Sequence, residues 1–106
     1  MDFERVRRGE ISVERFKGQT LIYFPEEMVD PIPKFTIRKI VKEYFSAEEL
    51  RKVKWKFGKY EYDDLKFYYL ELPRVIDFGE LVQPRFTIPD TIAQRVQAEY
   101  ERLKGL

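Results

Sequence analysis

Apolar positions change their spacing several times along this chain, and each change marks an element. Ile11, Val13 and Phe16 sit in a partly alternating run. Lys17-Gly18-Gln19 and the apolar stretch Thr20 to Phe24 follow. Two β-rich runs around a glycine-containing connection predict a hairpin. Pro25, Pro31 and Pro33 then break the chain into an irregular connection.

The next period is helical. Ile37, Ile40, Val41, Tyr44 and Phe45 fall at i, i+3, i+4, i+7 and i+8 and share one face, with Arg38, Lys39, Lys42 and Glu43 opposite. Ser46-Ala47-Glu48-Glu49 is a capping-box pattern, in which the serine hydroxyl and the glutamate three residues on satisfy each other's orphan amides. A second helix therefore starts there, with Leu50 and Val53 inward and Glu48 placed to pair with Lys52.

From Val53 the period shortens to two. Val53, Trp55 and Phe57 alternate with Lys52, Lys54 and Lys56, the signature of a strand. Gly58-Lys59 reads as a tight turn into Tyr60-Glu61-Tyr62, and Asp63-Asp64 as a second turn. Leu65 to Leu72 forms an aromatic-rich strand that Pro73 ends, and Val75 to Phe78 adds a short one. A closing helix runs from Pro89 to Lys104, with Ile92, Ala93, Val96, Tyr100 and Leu103 as its stripe. The predicted order is ββ-αα-βββ(β)-α. This is an α+β fold, an antiparallel sheet of four to six strands packed with two or three helices.

The length of 106 residues suits a single domain over 1–106, with 1–9 as a flexible basic arm carrying Arg5, Arg7 and Arg8. Nine Phe, seven Tyr and one Trp give a short chain large side chains with which to build a core. Pro33-Lys34-Phe35-Thr36-Ile37 and Pro84-Arg85-Phe86-Thr87-Ile88 match in type, but their flanks do not align, and the echo reads as coincidence. Charged residues reach 37%, without Asn or Cys, the composition of a heat-adapted protein. No apolar leader is visible at Met1 to Arg5, and no apolar run approaches a membrane span. A cytoplasmic protein without membrane contact is therefore expected.

Charge and chemistry narrow the function less than the fold. With no His and no Cys, imidazole bases, thiol nucleophiles and soft metal sites are absent. Only Ser12 and Ser46 supply serine hydroxyls, and Ser46 is committed to capping. Glu61, Asp63, Asp64, Glu71, Asp77 and Glu80 could in principle hold Mg²⁺, and Asp64-Leu65-Lys66 has a D-x-K form. In so charged a chain such a triplet arises by chance, and Asp63-Asp64 is ordinary turn chemistry. No phosphate-cradling glycine motif occurs. No catalytic residue, metal or cofactor is expected, and an enzyme is the weaker reading.

Two signals remain. Residues 34–59 hold nine basic and three acidic side chains between acidic flanks, and Arg51, Lys52, Lys54, Lys56 and Lys59 interleave with Trp55, Phe57 and Tyr60. Such a comb can neutralise phosphates, and charge reversal at Lys54 and Lys56 would then weaken binding to nucleic acid. A solubilised strand edge would look the same. The second signal is the excess of Tyr60, Tyr62, Tyr68 and Tyr69 on neighbouring strands. Tyr68 and Tyr69 must point to opposite faces, so one sheet face presents tyrosines, as interfaces do. The leading expectation is a non-enzymatic binding or assembly protein working through that sheet, as a homodimer or the subunit of a complex. A nucleic-acid-binding module is the alternative, and a small enzyme or ligand-binding domain with a tyrosine- or carboxylate-lined pocket is the third reading.

Overall fold

The computed structural model describes residues 1–16, 19–52, 55–72 and 88–105. Its elements in chain order are α1 (Phe3–Arg7), β1 (Ser12–Phe16), β2 (Gln19–Pro25), α2 (Glu26–Val29), α3 (Lys34–Tyr44), α4 (Ala47–Lys52), β3 (Lys56–Tyr62), β4 (Leu65–Leu72) and α5 (Ile88–Lys104). The four described strands form one antiparallel sheet in the order β1-β2-β4-β3. The α+β class and the antiparallel sheet are as expected, with five helices among the described residues instead of two or three.

Alternation divides the sheet into two faces. Ile22, Phe24, Leu70 and Leu72 line the first, and α2, α3 and α5 bury them with Met28, Val29, Ile37, Ile40, Val41, Ile92, Ala93 and Val96. Phe45 joins this core, and Leu50 of α4 packs against it. The stripes of α3 and α5 face inward as the helical spacing predicts. The capping box of α4 forms in both directions. Ser46 N–H donates to Glu49 Oε1 at 3.2 Å, and Glu49 N–H donates to Ser46 Oγ at 3.1 Å.

Among the described residues, the second face is covered only in part, by α1. Residues 1–9 are not a loose arm. Asp2 accepts the Arg5 N–H at 3.1 Å as N-cap. Beyond the helix, Gly9 N–H reaches the Val6 carbonyl and Glu10 N–H the Arg5 carbonyl, both at 3.0 Å, a Schellman closure. Gly9 takes φ +87°, the left-handed conformation this closure favours. Val6 then packs on Tyr23 and Phe67 in a second small core. Arg7 ties the helix to the far hairpin by donating to the Asp63 carbonyl at 2.8 Å.

The turn expected at Gly58-Lys59 is not one. Strand β3 runs straight through it, with Gly58 opposite Tyr69 and Lys59 opposite Tyr68. The physical reason is local: a Cβ on Gly58 would meet the Tyr60 ring at 3.2 Å, so glycine here makes room for an aromatic that folds back over the strand. The reversal comes at Asp63-Asp64, both at positive φ (50° and 64°), which Asp tolerates better than most residues. Val53, Lys54, the Lys17-Gly18 connection, Pro73, the strand expected at Val75 to Phe78, Asp77, Glu80 and the Pro84 to Thr87 part of the echo lie outside the described residues, as does the Lys52 side chain. Among the described residues no helix is long and apolar enough to cross a membrane.

Candidate functional site

The register of β3 decides where the aromatic side chains go. Tyr60 and Tyr62 lie on the second face with Phe67 and Tyr69 of β4 and Tyr23 of β2. Tyr68 lies on the first face. The structure thus brings Tyr60, Tyr62 and Tyr69 together and separates Tyr68 from them. The Tyr68 hydroxyl donates to Asp30 Oδ1 at 2.5 Å, and its ring stacks on Phe57 with centroids 5.6 Å apart.

On the second face, α1 covers one end and leaves a groove of about 550 Å³ whose lining includes six aromatic rings. Tyr23, Phe67 and Tyr69 form its floor, with Tyr23 edge-on to the other two at 5.8 and 5.5 Å. Phe3 and Tyr62 stack at 5.2 Å along one wall, and Tyr60 leans edge-on against Tyr69 at 5.5 Å on the other. Tyr60 and Tyr62 remain 48% and 61% exposed. Lys56 and Glu61 also line the groove, and across the ladder they stand opposite Glu71 and Lys66.

The polar side of this face is set by Glu14. Its Oε2 takes a bond from the Met1 ammonium at 2.8 Å and one from the Tyr23 hydroxyl at 3.2 Å. The ammonium's hydrogen bond is the main reason the Glu14 carboxyl sits below its ordinary range. Burial, followed by the charge of Glu14, pushes the Tyr23 phenol up to about 12 from an ordinary 10. Burial also raises Tyr69, beside Glu71, and Tyr68, beside Asp30.

These shifts favour the neutral phenols in the fold. Their stabilisation is intact below the unfolded value near 10 and is lost, for Tyr23, as pH climbs to about 12. An absorbance titration should therefore show part of the phenolate signal withheld above pH 10 and released together with the circular-dichroism signal of the fold. Tyr23→Phe should shrink that withheld part by one phenol. Smooth ionisation of every tyrosine with the fold intact would contradict this assignment.

Of the basic segment, the Arg51, Lys56 and Lys59 side chains are described, and they lie on different parts of the fold. Lys56 is exposed, and the Arg51 side chain projects to solvent from α4. Lys59 lies on the first face, bound to Glu26 at 3.1 Å and Asp30 at 3.3 Å and 5.6 Å above the Tyr68 ring. The arginines of α1 are engaged as well. Arg5 donates to the Ile11 carbonyl at 2.6 Å, Arg7 pairs with Glu4, and Arg8 pairs with Glu10.

A second cleft, also of about 550 Å³, opens where the flank of α3 meets the start of β3. Arg38, Lys42, Trp55, Lys56, Phe57 and Tyr60 line it. Sequence reasoning assigned Arg38 and Lys42 to the solvated face of a helix. The signal that could have found them is the i, i+4, i+8 spacing of Lys34, Arg38 and Lys42, a cationic ridge on one side of α3.

No family model, curated protein or solved structure matches the chain. A functional reading therefore rests on the site itself.

Proposed function

We propose that this chain is a non-enzymatic assembly protein whose working surface is the second face of the sheet and whose partner there is a second copy of itself. The observation that carries this reading is the face that the described residues leave half covered. Tyr60 and Tyr62 stand exposed beside a groove floored by Tyr23, Phe67 and Tyr69, a concentration of aromatic area typical of interface cores. Charge complementarity favours a copy of the same surface. Lys56 and Glu61 both border the groove, and a two-fold pairing can set each opposite the other's counterpart. Tyrosines also present large contact area at low cost in side-chain entropy.

Sedimentation equilibrium from low micromolar to near-millimolar protein tests this directly. A reversible dimer is expected. Tyr62→Glu and Tyr60→Ser together should weaken it by at least about 10-fold, about 1.4 kcal/mol, with the thermal midpoint of the isolated chain little changed. A monomer at every concentration, or a dimer indifferent to both changes, would overturn the reading.

A further inference from the structure

We infer that the cleft between α3 and β3 is a separate binding site for single-stranded nucleic acid, with phosphates held by Arg38, Lys42 and Lys56 and a base stacked against Trp55. The cleft shares Lys56 and Tyr60 with the groove on the second face, while Arg38, Lys42, Trp55 and Phe57 belong to it alone.

Charge carries the first part of the argument. Most arginines of this chain for which a partner is resolved hold a carboxylate, as Arg5, Arg7, Arg8, Arg15, Arg95 and Arg102 do. Arg38, Lys42 and Lys56 converge on one cleft with no ion pair among the described residues and no acidic side chain in its lining. Even Glu43, next to Lys42 in sequence, is taken up by Arg95 in a bidentate pair. Three cations in a lining that holds no carboxylate favour an anion with several charged oxygens; Lys56 also stands opposite Glu71 across the β3–β4 ladder. Lys34 extends the ridge by one turn, about 6 Å at 1.5 Å per residue. A chain of phosphates fits such a row better than an isolated ion.

Aromatic placement carries the second part. Trp55 and Phe57 are half-buried at the cleft wall, and Tyr60 closes its rim. Phe35, three residues before Arg38 on α3, is 72% exposed, the most exposed large apolar side chain described. Rings beside cations are the pairing that single strands use, because their bases are free to stack while their phosphates meet the charges. A duplex hides its base faces and would engage the cations alone.

The experiment uses fluorescein-labelled oligouridine, oligothymidine and a duplex of equal length, with anisotropy read across a salt series. Trp55 is the only tryptophan, so quenching of its emission by unlabelled oligomers reports stacking at this cleft. Both single strands should bind more tightly than the duplex. Three phosphate contacts at about 0.7 each predict a log–log salt slope of about −2. Arg38→Glu with Lys42→Glu should weaken binding by at least about 10-fold while circular dichroism stays unchanged. Tyr62→Glu should leave binding intact, which separates this site from the dimer surface. Several results would overturn the inference: no binding at low salt, binding without Trp55 quenching, affinity indifferent to the Arg38 and Lys42 changes, or polyglutamate bound as tightly as oligouridine. A preference between the RNA and DNA strands would identify which sugar the cleft accepts.

Discussion

Phe24→Ala is expected to remove most of the stability of the fold, at a cost of about 3–5 kcal/mol. Phe24 is fully buried on a central strand of the sheet and belongs to the cluster that α2, α3 and α5 close over. Deleting its ring forfeits the transfer energy of the side chain and leaves a cavity that two packed layers cannot collapse to fill. A domain of this size has about 5–15 kcal/mol in total, so the variant should unfold at a far lower urea midpoint or fail to fold at room temperature. A loss below about 1.5 kcal/mol would mean that the first-face core is not the structural centre of the molecule.

Val6→Asp probes the other side of the sheet. Val6 is 2% exposed and touches Tyr23 and Phe67 beneath α1. A carboxylate at that position is buried without a partner, so α1 should detach at a cost of about 3 kcal/mol. Hydrogen exchange would then show the amides of residues 3–10 losing protection, while those of β2 and β4 keep theirs. Tyr23 and Phe67, newly exposed, should change the near-ultraviolet circular dichroism. If residues 1–9 were a loose arm, the same substitution would cost almost nothing. The two outcomes are therefore well separated.

The contrast between these two sites explains which parts of the fold were legible in the sequence. The stripe of Ile37, Ile40 and Val41 and the reciprocal bonds of Ser46 and Glu49 depend on neighbours within one or two turns, and local pattern suffices for them. Helix α1 has only five residues. It persists because Val6, Phe3 and Arg7 find partners 17 to 61 residues away, which no local period announces. Gly58 resembles a turn glycine because residue type alone does not show that the ring two residues on, Tyr60, folds back over it.

The same distinction runs through the candidate sites. The sequence shows that Tyr68 and Tyr69 must face apart, and the structure adds which of them joins Tyr60 and Tyr62. Lys59 looks like a member of a phosphate-binding comb until its partners Glu26 and Asp30, about 30 residues earlier, are seen beside it. Arg38 and Lys42 show the opposite error. On a helical wheel they are ordinary solvent-facing cations, and only the approach of Trp55 and β3 turns that flank into a cleft. In a chain with 37% charged residues, the number of cations says little about binding. Which of them lack a carboxylate partner says more.

The central claim is that the tyrosine-rich second face meets its own copy. Isotope-filtered nuclear Overhauser spectroscopy on a mixture of labelled and unlabelled chains tests it most directly. Intermolecular contacts from the Tyr60 and Tyr62 rings to side chains of the same face, growing with concentration, are the predicted result. Intermolecular contacts confined to other surfaces, or none at near-millimolar protein, would contradict the account.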